Sequence, residues 1–174
     1  MPAVAGIPAD WPGRVASGAF QGVVDEADAI GVEQCLARAP AESLVALADA
    51  ARYVRRTDLA RQALLAERRR FARSVGAHDA AFLIGRLAED TSGDLREALL
   101  WYDRYLEQSQ ADSGGGNKND GYEGTYASEA LGRKMLALDR LGEAADARVT
   151  AEHYLTAFPT GAFATRARRI QLKP

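Results

Sequence analysis

Apolar residues return along this chain at helical spacing, in blocks cut off by glycine and proline. The first block is Phe20, Val23, Val24 and Ala27, closed by Gly31; a shorter one, Val32, Cys35 and Leu36, is closed by Pro40. Residues three and four apart share one face of a helix, so each block predicts an amphipathic helix. A longer helix is predicted to start near Glu42 or Ser43 and to bury Leu44, Leu47, Ala48 and Ala51. Its partner runs from about Asp58, a candidate N-cap, to Ala72 and buries Leu59, Ala63, Leu64 and Phe71. The next helix follows Gly76 and buries Ala81, Phe82, Ile84, Gly85 and Leu87. Behind the small polar start signal Ser92-Gly93-Asp94, another carries Leu95, Ala98, Leu99, Tyr102, Tyr105 and Leu106. Two more are predicted over 126–140 and 144–157, with Pro159 ending the second.

Between these blocks lie two stretches that resist helix. Pro2, Pro8 and Pro12 with Gly6 and Gly13 predict a loose lead-in over 1–17, whose Trp11 either docks on the first helix or meets a partner. The glycine-rich segment 112–122 predicts a flexible loop, because glycine loses too much backbone entropy in a helix. The chain therefore divides into an N-terminal lead-in with short helices over 1–40 and a helical repeat domain over 41–174.

The repeat is clearest where Leu131-Gly132, Ala147, Ala151, Tyr154 and Pro159 follow one another. Small residues at Gly132 and Ala147 let two helices approach, and Tyr154 is expected to fill the space between them. The layout returns as Ile84-Gly85, Ala98, Tyr102 and Tyr105, and more faintly as Leu47-Ala48, Ala63 and Phe71. Ala63 to Ala98 is 35 positions and Ala98 to Ala147 is 49, the second gap being the first plus the glycine loop. Residues 161–167 echo 124–130 and read as the first helix of an unfinished fourth unit. This series resembles the tetratricopeptide repeat, whose helix-turn-helix units recur about every 34 residues. The first unit departs from it, with Ala48 for the glycine and Glu67 and Arg70 at packing positions. The resemblance implies an all-α, tetratricopeptide-like α-solenoid of about three hairpins plus a C-terminal capping helix. The phrases 47–53, 81–88 and 154–161 also resemble the C-terminal repeat regions of bacterial envelope signalling proteins with an anti-sigma or iron-regulator-like front part. That resemblance implies a periplasmic location if the sequence is a fragment of an anchored protein, and a cytoplasmic one follows if Met1 is the native start.

Composition changes this picture little. With 47% hydrophobic residues, 26% charged residues and a net charge of −2, the chain is expected to fold, without a strong pull toward nucleic acid. A single cysteine, Cys35, excludes an internal disulfide, and no apolar stretch is long enough to span a bilayer. His78 and His153 have no other His, Asp or Glu at metal-ligand spacing, and Gly114-Gly115-Gly116 lacks the preceding strand that a phosphate cradle needs, with Lys118 followed by Asn119 rather than Ser or Thr. Two basic clusters, Arg68-Arg69-Arg70 with Arg73 and Arg166 with Arg168-Arg169, are either solvated faces or patches for an acidic partner. No catalytic residue, cofactor or metal is expected.

What remains is a surface. The resemblance implies that the first helix of each unit lines a concave face, with the residue after the small position pointing into it: Asp49, Arg86 and Arg133. Neighbours one turn away are Arg52, Tyr53, Glu89, Tyr126 and Glu129. Arg86 and Arg133 either grip a carboxylate of a partner or pair within the chain with Glu89 and Glu129. The expected function is a protein-interaction module or scaffold that binds another protein or a peptide, without nucleic acid or membrane insertion. The alternative is a sensor in which residues 1–40 complete a pocket for a small acidic ligand.

Overall fold

Among residues 6–111, 122 and 124–173, which the computed structural model describes, every regular element is helical: ten α-helices and one π-helical turn, with no strand. The loop expected over 112–122 lies outside the described residues except for Tyr122. The chain forms two compact units, Met1–Ala80 and Ala81–Pro174.

The first unit holds α1 (Trp11–Ala16), α2 (Phe20–Ile30), α3 (Val32–Arg38), α4 (Ala41–Tyr53) and α5 (Thr57–Arg70), and α6 (Val75–Leu87) begins in it. The lead-in is more ordered than expected. Pro12 sits in the first turn of α1, where a missing N–H costs nothing, so a short helix forms. Trp11 is fully buried, its indole donates to Glu26 Oε2 at 2.9 Å, and Arg14 pairs with the same carboxylate. The Trp11 bond above all, with Arg14 adding to it and burial opposing, holds the Glu26 carboxyl below its ordinary range. Trp11 thus docks within the chain.

A Schellman turn closes α4. Arg55 takes φ 62° and the Arg56 N–H donates to Ala51 O at 2.7 Å. This turn makes Arg56, not Asp58, the N-cap of α5, and leaves Asp58 in the first helical turn. The helix ends at Arg70, two residues before the expected stop, with Phe71 as its C-cap against Ala39, Leu44 and Ala66.

The second unit contains the end of α6, a π-helical turn (Ala88–Ser92), α7 (Leu95–Ala111), α8 (Ala127–Arg140), α9 (Ala144–Ala157) and α10 (Ala164–Gln171). Between α8 and α9 the turn of α4–α5 recurs, with Gly142 at φ 78° and Glu143 N–H donating to Leu138 O at 3.0 Å. Aligning the two pairs on their turns corrects the register of the first unit by three residues. Ala60, not Ala63, stands at the place of Ala147; Val45, not Ala48, stands at the place of Gly132; and Glu67 stands at the place of Tyr154.

Two contacts repeat through the second unit. Over Gly85 lies the Tyr102 ring, which an added Cβ would meet at 2.7 Å. Over Gly132 lies the Phe163 ring rather than the expected Tyr154, so close that a Cβ would overlap it. Tyr154 is fully buried but acts through its hydroxyl, which accepts the N–H of Phe163, the N-cap of α10, at 3.1 Å. Likewise the hydroxyl of buried Tyr105 accepts the N–H of Tyr126, the N-cap of α8, at 2.8 Å. Each tyrosine satisfies a backbone donor that the next helix cannot satisfy itself.

The first unit solves the same problem with Glu67. Its Oε1 accepts from Ser74 Oγ at 2.8 Å, and Ser74 Oγ in turn accepts the Ala77 N–H at 3.0 Å at the start of α6. Gly76 makes room, since a Cβ there would come within 3.0 Å of Glu67 Oε1 and 3.1 Å of Val45.

Candidate interaction surface

Helical spacing puts Glu129 and Arg133 on one face of α8, and Arg86 lies on the last turn of α6. The π-helical turn that follows α6 carries Glu89 and Asp90 toward α8. Arg133 lies between them: its Nε donates to Glu129 Oε1 at 2.9 Å and one terminal nitrogen to Glu89 Oε2 at 3.0 Å, with Asp90 Oδ1 at 3.7 Å. From α7, the Tyr102 hydroxyl donates to the same Glu89 oxygen at 2.7 Å, and Arg140 reaches the other at 3.6 Å. The set is neutral, with three guanidinium groups against three carboxylates.

Its members are not equally committed. The Glu89 and Arg133 side chains are 14% and 20% exposed, so their charges need each other. Burial pulls the Arg133 pKa down, but hydrogen bonds to Glu129 and Glu89 outweigh it and leave it above the ordinary arginine value. Burial, then donation to Glu89, raises the Tyr102 phenol above its usual range. Arg86 is held more loosely. It meets Asp90 at 3.2 Å and Glu129 at 3.5 Å, and its buried Nε has no hydrogen-bond partner.

Of the eight residues singled out from the sequence, the second unit brings together Arg86, Glu89, Glu129 and Arg133, in the intramolecular pairing foreseen as one of two possibilities. Tyr126 is a packing residue as much as a surface one, stacked on Phe82 with ring centroids 4.4 Å apart. In the first unit, Asp49 pairs with Arg52 at 2.9 Å, and Tyr53 is 70% exposed although it stacks on Phe20. Sequence reasoning missed Asp90, Arg140 and Tyr102. Only Asp90 had a signal, four residues after Arg86.

Elsewhere in this unit, a groove of about 340 Å³ between α7, α8 and α9 is lined by Leu99, Leu138 and Val149, by Glu143 and Asp146, and by the ion pair of Lys134 with Asp103 at 2.6 Å. Cys35 is buried, and burial pushes its thiol pKa up. Among the described residues no cluster of His, Cys, Asp and Glu could hold a metal ion, and no helix is long and apolar enough to cross a membrane. Comparison with family models, curated proteins and solved structures returns no match.

Proposed function

We propose that the chain is a protein-interaction module, a tetratricopeptide-like solenoid of about three hairpins with α10 as its end helix, which takes a segment of another protein on the charged face of α6 and α8. The observation that carries this is the contrast between the two arginines. Arg133 is consumed by Glu129 at 2.9 Å and Glu89 at 3.0 Å, whereas the more exposed Arg86 meets Asp90 at 3.2 Å and Glu129 at 3.5 Å. An incoming carboxylate that takes the two terminal nitrogens of Arg86, on a side chain 32% exposed, gains a bidentate bond and displaces Asp90 at 3.2 Å and Glu129 at 3.5 Å. Glu129 loses little, because Arg133 still holds it.

Binding suits this face better than catalysis. Tyr102 and Arg133, whose pKa values are displaced upward, move away from neutrality, so neither is poised to exchange a proton at physiological pH. Peptide display on the immobilised chain tests the proposal. Enriched peptides should carry a carboxylate, and Arg86→Gln should weaken their binding about tenfold or more, with Arg86→Lys in between. Peptides without acidic residues, or equal affinity for Arg86→Gln, would refute it.

A further inference from the structure

The last helix carries a charge pattern that the face of α6 and α8 does not use. Residues 158–174 contain four cationic side chains, Arg166, Arg168, Arg169 and Lys173, and no acidic one, whereas residues 81–157 carry 14 acidic against 8 basic side chains. Part of this charge is spent locally. Lys173 Nζ pairs with Asp139 Oδ2 at 2.7 Å, and Arg168 donates to Pro159 O at 2.9 Å. Arg166 and Arg169 are exposed, with no partner among the described residues. They stand three apart on the helix, with Leu172, 85% exposed, three further on.

The internal repeat says what this face corresponds to. Tyr126 and Phe163 are equivalent N-caps, each held by a tyrosine hydroxyl, and counting from them pairs Ala127 with Ala164 and Ala130 with Ala167, all buried. The same count pairs Leu131, Gly132 and Met135 of α8, which are buried, with Arg168 and Arg169 of α10 and its C-cap Leu172, which are exposed. In α8 those positions lie under its neighbours; in α10 they form an open face with arginines around one apolar residue.

We infer that this face of α10 is a docking site for an acidic amphipathic helix of a partner protein. Leu172 provides the apolar contact, Arg166 and Arg169 meet carboxylates spaced one turn apart on the incoming helix, and Arg168 adds a third cation at the margin. The arginines select the sign of the partner's charge, and the apolar contact distinguishes an ordered helix from a merely acidic chain. This site is separate from the Arg86 face, and either can fail without the other.

The test uses a synthetic amphipathic helix of about 18 residues, long enough to hold its shape, with leucines along one side and glutamates beside them. Controls are the same peptide with lysine for glutamate, polyglutamate, anionic vesicles of phosphatidylserine and phosphatidylcholine, and duplex DNA. Fluorescence anisotropy against the 174-residue chain should show binding of the glutamate peptide alone, weakening as salt is raised. Arg166→Glu with Arg169→Glu should reduce affinity about tenfold or more, and Leu172→Ser should reduce it severalfold, all with an unchanged melting curve. Arg86→Gln should bind this peptide as wild type does. Equal binding of polyglutamate, preference for vesicles or DNA, no binding at all, or indifference to the charge reversal would each overturn the inference.

Discussion

Glu67 is the sharpest departure from the repeat, and replacing it with glutamine separates charge from shape. The side chain is 1% exposed, Oε1 accepts from Ser74, and Oε2 has no hydrogen-bond partner. Burial raises its pKa above the ordinary 4.5, with the Ser74 bond and the charge of Arg70 opposing. The folded chain therefore holds this proton to higher pH than the unfolded chain does. Through linkage, its contribution to stability is fully present below about pH 4.5, declines as pH rises through the raised folded-state value, and is level above it. Glutamine keeps the acceptor for Ser74 and puts a neutral amide nitrogen in the unpartnered place of Oε2, so it removes the buried charge, whose burial costs about 1 to 3 kcal/mol more than that of a neutral group. Glu67→Gln should therefore be more stable than wild type by about 1 to 2 kcal/mol near pH 8, with the gap closing toward zero near pH 4.5. The two tryptophans make the assay local, since Trp11 lies in the first unit and Trp101 in the second. Urea unfolding followed by fluorescence in a Trp101→Phe background reports the first unit alone. Subtracting the curves with and without Glu67→Gln in that background cancels carboxylates such as Glu26 that titrate in both chains. A gap independent of pH, or one that widens on acidification, would refute the reasoning.

Three further outcomes follow from the packing. Gly132→Ala should cost about 1 to 3 kcal/mol in chemical denaturation, because its methyl group meets the Phe163 ring and the ring must shift. Arg55→Gly should raise the stability of the first unit by up to about 1 kcal/mol, since a side chain held at φ 62° is strained; no gain would mean that the turn is relaxed with arginine in place. Arg133→Gln should destabilise by about 2 kcal/mol by stranding Glu89, while Arg86→Gln should change stability by less than about 1 kcal/mol; equal losses would contradict the division of labour between them.

Much of the helical framework was legible because periodicity and breakers agree. The bounds 144–157 match α9, and Gly31 and Pro40 stand where α2 and α3 give way. Packing partners were harder to read. A ring reaching Gly132 from Phe163, 31 positions on, leaves no local signature, so the nearer Tyr154 was the natural choice. The first register slipped because a carboxylate reads as a solvent residue, and only the turn at Arg55 shows Glu67 standing in for a tyrosine. On the charged face, the four-residue steps within α8 and from Arg86 to Asp90 are visible in sequence. Arg140 and Tyr102 joined it only through tertiary packing and the π-helical turn, which periodicity does not report.

The repeat in the second unit depends most heavily on tyrosine hydroxyls holding the N-cap residue of the following helix, and amide hydrogen exchange reads those bonds one at a time. In wild type the Tyr126 and Phe163 amides should both be protected; Tyr105→Phe should release the first alone and Tyr154→Phe the second alone, each by about tenfold or more for a lost bond of about 1.4 kcal/mol. Exchange that is unchanged in both variants, or that rises equally at both amides in each, would contradict it.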